Sequence, residues 1–160
     1  MSGTPGAGGA SGAELPAPMA ELAEEFHAVS QQDRLQLLLE LSRELPALPE
    51  QYAGKLDLME RVDECQSPLF LAVEVAEDPD RTVSLFFDAP AEAPTTRGFA
   101  GILHESLNGL PAAEVVSVPD DAPFRFGLAE AVSPLRMRGM VGMLARIKRQ
   151  VRLRTQDVRA

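Results

Sequence analysis

The sequence predicts an α+β fold in which a small antiparallel sheet packs against helices, and three observations carry that prediction. Residues 69–75 and 82–88 alternate apolar with other side chains around the turn sequence Glu77-Asp78-Pro79-Asp80, which is the pattern of a β-hairpin. A leucine-rich stretch before the hairpin and a methionine-rich stretch near the C-terminal end space their apolar residues as amphipathic helices do. With 160 residues, 45% of them apolar, the chain can build one full core, whereas two domains would each be small.

Residues 1–18 are mainly Gly, Ala, Ser and Pro, so ordering them would cost backbone entropy with little burial in return, and a disordered tail is expected there. A single domain is expected over residues 19–153, followed by a flexible tail, 154–160. Met19 to His27 forms a short helix with Leu22 and Phe26 facing inward. Ser30 caps a second helix over residues 31–45, with Asp33 in its first turn; its apolar face is Leu35, Leu38, Leu39, Leu41 and Leu45, and Pro46 ends it. Residues 46–61 are turn-rich and carry no element of their own. The first strand places Leu69, Leu71, Val73 and Val75 on one face, and the second does the same with Val83, Leu85 and Phe87. Thr95 or Thr96 caps a helix over 97–107 that stops at Asn108-Gly109. The next stretch, 110–132, is punctuated by Pro111, Pro119 and Pro123 and holds short helical turns. Ser133 at N-cap and Pro134 at N1 open the last long helix, where Met140, Leu144, Ile147 and Val151 keep the helical period. No internal repeat is visible.

A formal charge of −9 disfavours nucleic acid as the main partner, because phosphate binding rests on accumulated positive charge. The charge is unevenly spread. Residues 134–160 hold eight of the 15 Arg/Lys but one of the 24 Asp/Glu, so an acidic body carries a basic helix, either a solvated face or a docking surface for an acidic partner. The single cysteine excludes an internal disulfide, and with only two histidines, His27 and His104, a Cys/His zinc site lacks ligands. No apolar run approaches the roughly 20 residues of a membrane span, and the N-terminal stretch lacks the basic and apolar regions of a secretory signal. A cytoplasmic protein is the simplest expectation.

Cys65 stands between Asp63-Glu64 and Gln66-Ser67, just ahead of the first strand. A purely structural thiol more commonly lies within an apolar run, so this context points to a reactive group presented at a loop tip. The neighbouring acids raise a thiol pKa and must be compensated elsewhere in the fold. Arg97 and Arg136, each at the start of a helix where the macrodipole disfavours a cation, are the candidates; the alternative for each is a solvated or surface-paired arginine. A cysteine hydrolase would need a base beside Cys65, and His104 is the one residue that could serve, although a half-buried scaffold histidine is the plainer reading. The segment GFAGIL at 98–103 lacks phosphate-loop spacing and reads as helix packing.

Four segments, DRLQLLLELSRELPALPE, RVDECQSPLFLAVEV, APTTRGFAGIL and VSPLRMRGMVGMLARIKR, occur in this order, and together they resemble the SufE family, the sulfur acceptors of cysteine desulfurases in iron-sulfur cluster assembly. The likeness runs from about Phe26 to Arg152, and the Cys-Gln-Ser core and the Ser-Pro-x-Arg helix start with Gly three residues later carry it most specifically. The resemblance implies a SufE/NifU-like fold, with Cys65 accepting a persulfide, Gln66 and Ser67 shaping its loop, and Arg97 and Arg136 in the surroundings of that loop. It also implies a SufS-like desulfurase as partner, which would keep the pyridoxal phosphate, and an iron-sulfur scaffold as recipient. Three positions depart from the family pattern: Glu64 where Gly commonly precedes the cysteine, Phe70 where Trp is common, and Glu92 in place of an Asp five residues before the Arg-Gly pair.

On this basis the expected function is a persulfide carrier that needs no bound cofactor or metal and stimulates a desulfurase by removing its product sulfur. A resolving thiol would discharge the product as a disulfide, so one cysteine is sufficient. The alternatives are a cysteine hydrolase or transferase using Cys65 and His104, and a non-catalytic adaptor using the acidic body and basic helix.

Overall fold

The computed structural model describes residues 14–159. The expected N-terminal tail falls mostly outside them, and the first helix, α1 (Ala17–His27), begins within its last two residues. Met19, Leu22, Ala23 and Phe26 are buried at helical spacing and Phe26 meets Phe126 edge to face at 5.6 Å. In α2 (Gln31–Glu44) the Ser30 hydroxyl accepts from the Asp33 amide at 3.2 Å, as the sequence predicts. Its buried face is narrower than the leucine pattern suggests: Leu38, Leu41 and the capping Leu45 are buried, whereas Leu35 is exposed.

A three-stranded antiparallel sheet follows, in the order β1 (Glu60–Arg61), β2 (Phe70–Val75), β3 (Val83–Asp88). Strand β1 corrects the expectation that residues 46–61 hold no element: Glu60 pairs with Leu71 and Arg61 with Phe70. Two polar residues are too short a run to show a period of two. In the hairpin, Leu71 faces Phe87, Val73 faces Leu85 and Val75 faces Val83, which gathers the apolar side chains on one face of the sheet. The Asp78 carboxylate accepts from the Thr82 amide at 2.9 Å and closes the connecting turn.

Helix α3 (Pro94–Leu107) starts earlier than expected, and neither Thr95 nor Thr96 caps it. Pro94 supplies a pre-set φ at the first position, so both threonines fall inside the helix. Here α3 lies directly on α2. A β-carbon at Gly98 would come within 2.7 Å of the Leu38 carbonyl oxygen, and one at Gly101 within 2.6 Å of that of Leu41; the GFAGIL segment is the packing surface the sequence suggests. The turns α4 (Ala112–Val116) and a 3₁₀ turn (Ala122–Phe126) lead to α5 (Pro134–Arg159). The Ser133 hydroxyl accepts from the Arg136 amide at 3.2 Å, and Met137, Met140, Met143, Leu144, Ile147 and Val151 bury one side of α5 against β2 and α3. Where a flexible tail is expected from residue 154, the helix runs on to Arg159, and Arg154 ties it to the sheet by donating to the Val73 carbonyl.

Candidate functional site

Between β1 and β2 the chain makes a loop, 62–69, closed at its base by the Val62 amide donating to the Leu69 carbonyl at 2.9 Å. Inside it the Cys65 amide donates to the Val62 carbonyl at 3.1 Å. This fold of the loop turns Asp63, Glu64 and Gln66 outward and Cys65 inward: the first three are exposed, while Cys65 is only 7% exposed. The polar neighbours therefore mark a loop, as expected, but the sulfur itself is covered rather than presented, because α5 passes over it. Its thiol points at the Gly139 carbonyl, with Sγ and the oxygen 3.8 Å apart. Thr96, Phe99, Leu135, Arg136 and Gly139 complete a crevice of about 10 Å³ around Cys65, room for about one water and no substrate.

Burial pushes the Cys65 thiol up to about 11, the Glu64 carboxylate adds to the rise, and the Arg146 charge partly offsets it. A neutral thiol is the natural result, since an apolar pocket solvates a thiolate poorly. Glu64 does not lean on either arginine suggested by the sequence. Its Oε1 accepts from Arg146 Nη2 at 2.8 Å and Nε at 3.2 Å, while Arg146 Nη1 donates to Glu60 Oε2 at 2.7 Å. Glu60 in turn takes Arg149 and Gln150 on its other oxygen. Bonds from Arg146 hold the Glu64 carboxyl below the usual carboxylate range. Burial works against ionisation of Glu60, but the bonds from Arg149, Arg146 and Gln150 outweigh it and lower its pKa, and the bonds to Glu64 and Glu60 raise that of Arg146.

Arg97 lies apart from the thiol. It donates to the backbone carbonyls of Ser42 at 2.7 Å, Ala89 at 2.8 Å and Leu45 at 3.5 Å; it ties the C-terminal end of α2 to the end of β3, and so compensates carbonyls rather than the sulfur. Arg136 does line the Cys65 crevice, from the first turn of α5, with its side chain exposed. Gln66 is exposed and Ser67 half-buried on the same loop. Glu92 is in the exposed turn ahead of α3, outside the crevice lining. His104 faces a different cavity, of about 240 Å³, lined by Pro46, Leu48, Phe86 and Asn108 among others, and burial lowers its pKa. The nucleophile and base of a hydrolase are thus not brought together.

Arg146, Glu60, Gly139 and Gly142 are the residues that sequence reasoning passed over as site components. Gly139, Gly142 and Arg146 recur at three and four residues along one face of α5, a small-small-cation stripe that is the available signal. A β-carbon at Gly142 would stand 2.7 Å from Glu64 Cδ, so the two glycines are where consecutive loop residues, Glu64 and Cys65, seat on the helix. The basic stripe of α5 is correspondingly less solvated than it reads. Arg146 and Arg149 meet Glu60 of β1, Arg146 also meets Glu64 of the loop, and the buried Lys148 reaches the exposed Asp120 at 2.8 Å.

The family model for SufE, described as an Fe-S metabolism associated domain, matches residues 20–151. An uncharacterized SufE-like protein of Mycobacterium tuberculosis is 58% identical over 88% of this chain and 95% of its own length. SufE-like protein 1, chloroplastic/mitochondrial, of Arabidopsis thaliana is 26% identical over 82% of this chain and 34% of its own length. Among solved structures, that of a hypothetical protein from Thermus thermophilus superposes with a TM-score of 0.74 at 36% identity, covering 87% of this chain and 96% of that one.

Proposed function

The chain belongs to the SufE family, with the role in Fe-S metabolism that its domain carries, and from that premise we propose that it is a persulfide carrier whose acceptor is Cys65. The Cys65 thiolate attacks the outer sulfur of a persulfide on a pyridoxal-phosphate cysteine desulfurase. A sulfur-sulfur bond forms to Cys65, the bond to the desulfurase cysteine breaks, and the desulfurase leaves as a thiolate that takes up the proton Cys65 gave away. The exchange is redox-neutral and needs no cofactor on the carrier. A scaffold thiol then collects the sulfur by the same displacement, and removal of the product stimulates the desulfurase. The protein acts as an accessory to another enzyme, in a compartment such as the cytoplasm that keeps its thiol reduced.

The observation that carries this reading is the sole cysteine of the chain held in a loop that closes its sulfur against Gly139. A thiol kept neutral and covered resists oxidation until the loop opens. With no second cysteine, a bound persulfide cannot collapse into an internal disulfide. The separation of His104 from the crevice counts against the hydrolase alternative, and the internal pairing of Arg146, Lys148 and Arg149 takes much of the basic surface away from a pure adaptor. The test is to incubate the protein with a cysteine desulfurase and free cysteine and to measure intact mass. One added sulfur on Cys65, with faster desulfurase turnover, is expected; an unmodified thiol alongside unchanged turnover would overturn the proposal.

A further inference from the structure

We propose that the ion pair between Glu64 and Arg146 is a latch that holds the Cys65 loop shut, with Arg146 as the positioning residue that sets how often the thiol is exposed. The inference rests on the carrier reading only for its consequence in sulfur transfer. Four observations converge on it. Glu64 is the residue next to Cys65, and its carboxylate takes two bonds from Arg146, at 2.8 and 3.2 Å. That guanidinium is itself fixed, since its remaining nitrogen reaches Glu60 of β1 at 2.7 Å and Arg149 and Gln150 hold Glu60 from the other side. The loop seats on α5 at Gly139 and Gly142, where small residues let Cys65 and Glu64 approach. Finally, the crevice around the sulfur has about 10 Å³, so attack on a partner's persulfide requires the loop to leave α5, and leaving α5 breaks the Glu64 bonds.

The latch is reachable from outside. The Glu64 side chain is 41% exposed and that of Arg146 22%, a degree of exposure at which salt or a competing carboxylate weakens a pair. A partner that offers an acidic group to Arg146 would release the loop at the moment of docking.

Charge and latching make opposite predictions for Arg146, which allows a clean test by iodoacetamide alkylation of Cys65 near neutral pH. If Arg146 acted only through its charge, Arg146→Met would leave Glu64 uncompensated, raise the thiol pKa and slow alkylation. A latch predicts the reverse, an acceleration of roughly tenfold, because the open fraction grows. Glu64→Gln should also accelerate, and the double variant should react no faster than the faster single one, since both break the same pair. In the parent protein about 1 M salt should close much of the gap, iodoacetamide being uncharged. Arg152→Gln, which removes an exposed positive charge from α5 and leaves the bonds to Glu60 and Glu64 in place, should stay within about twofold of the parent.

Should Arg146→Met fail to fold, amide hydrogen exchange in Glu64→Gln decides: faster exchange at Val62 and Cys65, whose amides close the loop, supports the latch, and unchanged exchange overturns it. Slower or unchanged alkylation in Arg146→Met, or equal acceleration in Arg152→Gln, also overturns it. Sulfur uptake from a desulfurase should rise with alkylation across the series. Faster alkylation with no sulfur uptake in any variant, parent included, would defeat the carrier reading and leave the latch standing.

Discussion

The Cys65 sulfur and Gly139 are in contact across the seam between loop and helix, with Sγ 3.8 Å from the glycine carbonyl oxygen and 3.1 Å from where a β-carbon would stand. A methyl group at 139 is therefore tight against the sulfur and against nothing more rigid. Gly139→Ala is expected to move the loop outward by a few tenths of an ångström and to raise the alkylation rate of Cys65 several-fold. Global stability should change by less than about 1 kcal/mol, because alanine favours the helix by roughly as much as the displaced loop costs. Thermal unfolding and iodoacetamide kinetics check the two halves separately.

A thiol pushed up to about 11 by burial and by Glu64 has a defined signature in pH. The folded-state value lies above the ordinary one of about 8.5, so burial of the neutral thiol contributes stability that is fully present below pH 8.5 and is lost as the pH rises through about 11. Alkylation of the native protein should accelerate about tenfold per pH unit without levelling near pH 8.5, whereas the urea-unfolded chain should level there. In Gly139→Ala the midpoint should move down toward the unfolded value. A native profile that levels near pH 8.5 would show an open loop.

Arg97 holds three backbone carbonyls, those of Ser42, Ala89 and Leu45. Arg97→Met keeps the bulk of the stem and removes every donor, leaving part-buried acceptors without partners. Unfolding free energy should fall by about 1–3 kcal/mol, seen as a lower denaturant midpoint, while the pH profile of Cys65 alkylation should keep its shape. A change confined to thiol reactivity would instead return Arg97 to the role suggested by its place in the sequence.

Much of this fold is legible in the chain because the signals are local. The capping bonds of Ser30 and Ser133, the hairpin alternation and the α5 stripe each depend on residues within a few positions of one another. What was not legible depends on distant pairs. Strand β1 is two residues long and exists because Leu71 and Phe70 lie beside it, and Arg146 looks like any arginine on a basic helix until Glu60 and Glu64 are carried to it from more than 80 positions away. The same holds at the thiol. Polar neighbours correctly mark a loop around Cys65, but its burial is imposed by α5, whose glycines at 139 and 142 leave the room.

Gly101 offers the opposite case to Gly139. A β-carbon there would stand 2.6 Å from the Leu41 carbonyl oxygen and 3.0 Å from its carbon, and a helix backbone cannot step aside as a loop does. Gly101→Ala should therefore separate α2 from α3 and cost about 2–4 kcal/mol despite the better helix propensity of alanine. Equilibrium urea unfolding would measure it, and a neutral or stabilised variant would mean the two helices adjust more freely than close packing allows.

His104 and Cys65 distinguish a carrier from a hydrolase by what each substitution leaves behind. Cys65→Ser replaces the sulfur by a nearly isosteric hydroxyl in a crevice that already offers the Gly139 carbonyl as an acceptor, so the fold should persist while stimulation of a desulfurase disappears. His104→Ala removes a ring from a cavity bounded by Pro46, Leu48 and Phe86, with no contact to the thiol crevice. Its stability cost should be about 1 kcal/mol, and its sulfur acceptance should stay within about twofold of the parent, since displacement at a persulfide needs a thiolate and a leaving thiolate but no base at that position. Loss of a general base ordinarily lowers a rate by about a hundredfold or more. A drop of that size in His104→Ala, measured as mass transfer to Cys65 in single-turnover mixtures, would bring the histidine into the chemistry and require the loop to carry Cys65 across to the second cavity.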